Sequence, residues 1–353
     1  MQAQNIKYLL VSFVIVVAAT LIGGELIART FGATLVYEYD AQLGWRPKQS
    51  FSAELPAWDL GGEKYLVSFT TNASGFRAFG NLDSGKKRVL FIGDSWTGDP
   101  NTSDQDAYFG IVAQELPLEV FAIGGGGYGT LQELMLLRKF AAQIKPDIFV
   151  LQYCDNDLIN NSYFLEGPSI TRNQKNLRPY WVEGKIKYRL APDSIYRILH
   201  RNSRLFRSLD ALLSTVQYKI YGDYFPPAYE GYSGFKPAKS SEQQARISAL
   251  RTDAEKTTLE LLTEMKRVLP ATTRLVTFAA SSDDPKELNT WLSLAAQAGF
   301  SAYPSVSMRV EQAEAAGQIV RVRDGAHWNR LGNRIAGKEL ARRLAQDLVS
   351  EGF

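Results

Sequence analysis

The chain has one cysteine, Cys154, and two histidines, His200 and His327, among 353 residues. A single cysteine excludes an intramolecular disulfide and any cysteine-cluster metal site. With no histidine placed to activate it, Cys154 reads as a small packing residue. The shortage of histidine matters more. A serine hydroxyl attacks a carbonyl at neutral pH only when a base takes its proton, and that base is usually histidine. Charge of one sign is scarce as well: 40 Lys and Arg against 37 Asp and Glu leave a net charge of +3. That is too little to point to nucleic acid, and no RNA- or DNA-binding motif is present. No internal repeat is visible. What is there is 45% hydrophobic and 22% charged, the composition of a globular protein with a core.

One long apolar run stands at the start. Tyr8–Gly24 carries no charge, and apolar character resumes after Glu25 through Ala28. As a helix, Tyr8–Ala28 matches the roughly 30 Å hydrocarbon core of a bilayer. Residues 1–30 are therefore expected to be a single-pass transmembrane anchor. Lys7 and the α-amine put the N-terminus in the cytoplasm and the bulk of the chain in the extracytoplasmic or periplasmic space. A cleavable signal peptide is the alternative, but no small-x-small cleavage site follows the run.

Residues 31–85, rich in aromatics, glycine and turn residues, read as a small β-rich lead-in. It contains Leu43-Gly44-Trp45-Arg46-Pro47 and Asn72-Ala73-Ser74-Gly75-Phe76-Arg77. Residues 86–353 alternate strands and helices. Strands are predicted at Arg88–Ile92, Leu118–Ile123, Asp147–Tyr153 and Arg274–Phe278. Helices are predicted at Ala107–Glu115, Leu131–Gln143, Glu242–Val268, Pro285–Ala298 and about Asn329–Val349, the last with Leu331, Ile335, Leu340, Leu344 and Leu348 near one face. This pattern predicts an α/β fold, a three-layer α/β/α sandwich with a mostly parallel, flavodoxin-like sheet. An insertion at about 160–240 interrupts it. Within the insertion Ser194–Tyr221 is a basic amphipathic helix, ended by Phe225-Pro226-Pro227. Such a helix can lie on an anionic membrane, but a lid or substrate-facing element is the expectation.

Four short segments carry chemistry. The first predicted strand runs into Gly93-Asp94-Ser95, which can be an ordinary helix-capping turn or can present a nucleophile. The second strand runs into Gly124-Gly125-Gly126-Gly127-Tyr128-Gly129, where backbone amides can approach an anion. Gly124, Gly126 and Gly129 also satisfy the dinucleotide fingerprint, with Asp155 as its acid. Asp155 lies farther on than the usual ~20 residues, however, and the fingerprint normally opens its domain. The third strand ends at Tyr153-Cys154-Asp155-Asn156-Asp157, where the Asn156 amide could face a developing oxyanion. The fourth segment is Asp324-x-x-His327, an acid at a spacing that can orient an imidazole. Asn329 is a candidate cap for the last helix, and His200, among arginines, reads as structural or surface.

In this order the four segments resemble the SGNH or GDSL hydrolase family, whose four blocks donate a serine, a glycine, an asparagine and a histidine. The resemblance covers residues 88–157 and 318–349. It implies Ser95 as nucleophile, His327 as base and Asp324 as its orienting acid. It also implies an oxyanion hole from the Ser95 and Gly127 backbone N–H groups and the Asn156 side chain, with no metal or dissociable cofactor. Two departures stand out: Ala122 replaces the asparagine that commonly opens the second block, and Asp155 replaces the glycine before Asn156. The lead-in is similar to that of membrane-anchored bacterial members tied to envelope polysaccharide modification. The resemblance therefore implies a serine esterase or acyl transferase acting on carboxylic, foremost O-acetyl, esters of an envelope or extracellular glycan. Its partners would be that O-acylated glycan, the membrane and the polysaccharide-synthesis or acetylation proteins. A lysophospholipase-like lipid esterase and a catalytically silent glycan-binding scaffold are the alternatives.

Overall fold

Apolar residues alternating between the two faces of short strands organise the molecule. The computed structural model describes residues 2–32, 34–154, 156–166, 175–221, 241–281 and 285–350. Helix α1 (Gln2–Phe31) leads into β1 (Tyr37–Asp40), β2 (Gly44–Pro47), β3 (Phe51–Trp58), β4 (Lys64–Thr71) and β5 (Ala78–Phe79). There follow β6 (Arg88–Gly93), α2 (Tyr108–Glu115), β7 (Glu119–Gly124), α3 (Thr130–Ile144), β8 (Ile148–Tyr153) and α4 (Asp157–Asn161). The insertion holds β9 (Pro179–Val182), β10 (Lys185–Tyr188), α5 (Ile195–Asn202) and α6 (Arg204–Tyr221). The chain resumes with α7 (Ser241–Val268), β11 (Arg274–Ala279), α8 (Pro285–Ala298), β12 (Ser301–Ala302), α9 (Ser305–Ala315) and α10 (Arg330–Ser350).

The central sheet has the order β12-β11-β8-β6-β7-β5 and is parallel except for the β5 edge. Val89, Phe91, Val150 and Phe278 point to one face, where Tyr108 and Val112 of α2, Val310 of α9 and Leu340 and Leu344 of α10 cover them. Leu90, Ile92, Phe149 and Leu151 point to the other, under Leu137 of α3, Leu261 and Met265 of α7 and Trp291 of α8. Strands covered on both faces must be apolar throughout, which is why they read as continuous hydrophobic runs. The result is the α/β/α sandwich that the alternation predicts.

Strand β6 lies between its two successors. The crossover through α2 leads to β7 on one side, and the next, through α3, returns past β6 to β8 on the other. Right-handed crossovers in opposite directions put their helices on opposite faces and open a crevice beyond the carboxyl ends of the strands. Ser95, the glycine run and Asn156 follow β6, β7 and β8 respectively, so the topology gathers them at that end.

Two local expectations need correction. Ser194–Tyr221 is two helices, not one. At Ser203 the backbone is extended (φ −115, ψ 120), and its hydroxyl accepts the Phe206 N–H at 3.0 Å. A serine N-cap restarts the helix there. Leu331 does not join the inner face of α10, being 37% exposed, while Ala336, Leu340, Ala341 and Leu344 form it. Phe225-Pro226-Pro227 lies outside the described residues. His200 is buried, bonded to Asp210 through Nε2 at 3.0 Å and packed on Tyr196 and Phe206, a structural arrangement.

The lead-in folds as two antiparallel hairpins, β1–β2 and β3–β4. Its Asn72 turn is built by the side chain, whose Oδ1 accepts the Ser74 and Phe76 N–H groups, while Gly75 takes φ +90. The turn delivers Arg77 into the interior. There its guanidinium donates to Asp104 Oδ1 at 2.8 Å and to the Asp99 and Thr102 carbonyls. Arg77→Ala strips those acceptors of their donor and leaves a partly buried carboxylate without its partner. The expected cost is about 3–5 kcal/mol, measured as a lower urea midpoint with unchanged slope. An unchanged midpoint would show that the segment from 97 to 104 holds itself.

Candidate active site

Gly93 ends β6 where a side chain could not fit, since a Cβ would stand 2.3 Å from Gln152 Oε1 and 2.4 Å from Thr97 Oγ1. Gln152, on the neighbouring β8, accepts the Asp94 N–H at 3.1 Å and the Thr97 hydroxyl at 2.9 Å. The Gly98 N–H closes the turn onto the Asp94 carbonyl at 2.9 Å. This clamp presents Ser95 at the sheet's carboxyl edge.

The fourth segment meets it there. Ser95 Oγ lies 2.8 Å from His327 Nε2, and His327 Nδ1 lies 2.6 Å from Asp324 Oδ2. The other oxygen of Asp324 accepts the Ala326 and His327 N–H groups at 2.8 and 3.0 Å, so the carboxylate is held by its own loop. Gly325 takes φ +75 to allow that turn. Asp324 and His327 thus share one short segment, and the three-residue spacing is what the ring and the carboxylate need to meet. Trp96 backs the imidazole at 5.0 Å between ring centroids, and buried Trp328 packs on Trp96 at 4.8 Å. Asn329 caps α10, its Oδ1 accepting the Leu331 and Gly332 N–H groups. Cys154 is buried and receives the Trp96 indole N–H.

The glycine run lies against the Ser95 turn: a Cβ on Gly98 would come within 2.7 Å of the Gly124 carbonyl. Gly127 has φ +69, a conformation that favours glycine. Neither the Ser95 nor the Gly127 N–H donates to any described residue. The lead-in braces this run and the Ser95 turn beside it. Trp45 Nε1 donates to the Gly126 carbonyl at 2.9 Å, Tyr128 OH to the Trp45 carbonyl at 2.6 Å, and Tyr37 OH to the Gly98 carbonyl at 2.8 Å. The Leu43–Pro47 motif is therefore a strut for the second segment. The dinucleotide reading fits these contacts poorly. Gln132 Oε1 takes the Gly129 N–H at 3.2 Å, at the start of α3 where a pyrophosphate would rest, and the Tyr128 ring covers Gly125. Asn156 opens the turn into α4, its carbonyl accepting the Asn160 N–H at 3.0 Å, and its side-chain amide bonds no described residue. Asp155 lies outside the described residues. Among the described residues no cluster of His, Cys, Asp and Glu is arranged to hold a metal ion.

Three buried polar residues escape the sequence reading. Gln152 is the one polar residue of β8 apart from the tyrosine that ends it, a signal in itself. The Glu133 carboxyl, on α3, is pushed well above the usual carboxylate range by burial and by the charges of Asp157 and Asp94. Asp99 is buried, its carboxylate bonded to Asn101 and Thr102. Burial works to lower the basicity of His327. The Asp324 hydrogen bond and the charges of Asp99, Asp324 and Asp94 outweigh it and raise the imidazole to about 9. Asp324 itself falls below the usual carboxylate range: burial opposes the ionised form, but the bonds from His327 and the two amides prevail. His327 is therefore a cation at neutral pH and becomes a free base as pH rises through about 9. An NMR titration of its ring is expected to show that midpoint, displaced downward in Asp99→Asn. An unmoved midpoint would remove Asp99 from the electrostatics of the site.

No protein-family model matches the chain, and no curated protein matches it. Solved structures do. A member of the lipolytic G-D-S-L family from Veillonella parvula is 12% identical, with a TM-score of 0.38 over 72% of this chain and 95% of that one. A carbohydrate esterase family 2 enzyme with a carbohydrate-binding domain, from Corynascus thermopiles (Myceliophthora fergusii), is 12% identical, with a TM-score of 0.40 over 85% and 89%. An acetylxylan esterase from Geobacillus stearothermophilus is 13% identical, with a TM-score of 0.35 over 74% and 94%.

Proposed function

We propose that the chain is a membrane-anchored serine esterase or acyl transferase whose nucleophile is Ser95. The observation that carries this reading is the unbroken line from Ser95 Oγ through the His327 ring to Asp324. Ser95 Oγ attacks the ester carbonyl carbon while its proton passes to His327 Nε2. Asp324 holds the proton on Nδ1 and stabilises the resulting imidazolium. The carbonyl oxygen, now negative, is received by the Ser95 and Gly127 N–H groups and the Asn156 amide. Each such donor is worth on the order of 3 kcal/mol in the transition state. Collapse breaks the bond to the alcohol oxygen, which leaves with the His327 proton, and an acyl group remains on Ser95. Water returns it as a free acid; an acceptor hydroxyl carries it away as a new ester.

The substrate class we assign is an O-acetylated envelope glycan, on the family resemblance of the four segments and the lead-in. Helix α1 supports the anchor: Gln4–Phe31 has a mean hydropathy of 2.3 over its most apolar window, none of which is buried by the rest of the protein. Lys7 supports an N-terminus inside and the remainder outside. A lipid esterase is the second reading, favoured by the apolar surface that α5 and α6 expose beside α1. The deciding experiment offers the full chain an acetylated polysaccharide and a vesicle-borne lysophospholipid, and measures released acetate and fatty acid. Acetate release, or acetyl transfer to added glycan, supports the first reading. Fatty acid alone would replace it with the second, and neither product with any acyl ester would reject both.

A further inference from the structure

We infer that α5 and α6 form a platform seated on the bilayer that α1 crosses, with the outer face of α6 sunk among the acyl chains just below the headgroups. The inference rests on the reading of α1 as a membrane span and goes beyond it, because it gives the insertion a partner and the catalytic crevice a fixed height.

The face itself is the first observation. Leu209, Leu212, Leu213 and Val216 recur at the spacing of one helical stripe and are 47, 57, 60 and 40% exposed. Ile195 and Ile198 of α5 add 70 and 45% exposed side chains. Apolar stripes of this kind on a helix with basic neighbours suit the boundary between headgroups and acyl chains.

Its position is the second. The Glu25 carboxylate, near the end of α1, accepts the Arg204 and Leu205 N–H groups at 2.9 Å and the Ser203 hydroxyl at 2.8 Å. Arg29 donates to the Asn202 carbonyl at 3.0 Å. Gly24 lets Leu205 approach, a Cβ there meeting its side chain at 3.0 Å. A carboxylate in so apolar a helix is costly unless paired, and the first turn of α6 supplies the amides and the positive end of the dipole. Helix α6 therefore begins where α1 leaves the hydrocarbon and runs on from that level for roughly 27 Å.

Charge is the third. Lys48, Arg204 and Arg207 lie close enough that each arginine's charge acts on the lysine. Arg29 is near enough to act on Arg207. Cations at this height match lipid phosphates, and they choose a lipid surface over a second copy of the chain, whose identical patch would repel them. The platform also reaches the site. Helix α5 packs on β1, and the β1–β2 hairpin holds the Ser95 turn through Tyr37 and the glycine turn through Trp45.

The test uses the full chain in phosphatidylcholine–phosphatidylglycerol vesicles carrying a nitroxide on the upper acyl chain. An environment-sensitive fluorophore is attached in turn to Leu212→Cys, Leu213→Cys, Val14→Cys in α1 and Lys139→Cys at an exposed position of α3; native Cys154 is buried. The inference expects loss of fluorescence at Leu212, Leu213 and Val14 but not at Lys139, with weaker quenching at Leu212 in pure phosphatidylcholine. Quenching at Val14 without quenching at Leu212 and Leu213 overturns the platform and leaves the span standing. Absence of quenching at all sites overturns the span and the platform together. Protection of Leu212 from aqueous iodide without lipid quenching assigns the face to a protein partner and also overturns the inference.

Discussion

Ser95→Ala is expected to lower ester turnover by on the order of 10⁵–10⁶-fold, with the thermal midpoint essentially unchanged. The hydroxyl is the only group of the turn that His327 contacts through Nε2, and it contributes little to the fold. Gln152, Thr97 and the Gly98 amide hold the turn without it. A residual rate above water is expected from substrate binding and the backbone donors. Initial rates on a chromogenic acetate ester, set beside a melting curve, check both halves. Retention of a substantial fraction of the rate in a folded variant would assign the nucleophile elsewhere.

Asp324→Asn is expected to cost on the order of 10⁴-fold. The native carboxylate divides its work, one oxygen taking two backbone amides and the other the imidazole. An asparagine can keep its oxygen on the amides, but it then turns an NH₂ toward Nδ1. Nδ1 must accept, the proton moves to Nε2, and the nitrogen facing Ser95 can no longer take a proton. The sign of the pH effect follows from the same contact. Only neutral His327 can act as a base, so the native rate climbs with pH and levels off above about 9. Removing the Asp324 charge moves that climb to lower pH while the plateau falls. A pH–rate profile of both proteins checks this. A full plateau with an unmoved midpoint would contradict the role assigned to Asp324.

The sequence made the strands legible because β6, β7 and β8 are buried on both faces and have to be apolar. Strands β5 and β12, two residues each and only partly covered, carry no such run and gain their place from a neighbour and not from any local pattern. Ser95, Asp324 and His327 could be picked out because reactive side chains stood at strand ends or at a fixed spacing, with two histidines to choose between. Asp99 could not: what makes it relevant is a fold that buries it near a histidine more than two hundred residues away. Gln152 was visible as a polar residue in an apolar strand, yet only the parallel pairing of β8 with β6 gives it the Ser95 turn to hold. The break at Ser203 is a local serine cap that the apolar periodicity of the segment does not register, and its bonds to Glu25, far off in sequence, come only with the fold.

Treating the full chain with a fluorophosphonate and locating the adduct by peptide mass spectrometry tests the whole arrangement in a single step. Phosphonylation at Ser95, abolished in His327→Ala, is the outcome expected of an activated hydroxyl. A folded chain left unmodified, or one modified at another serine, would contradict it.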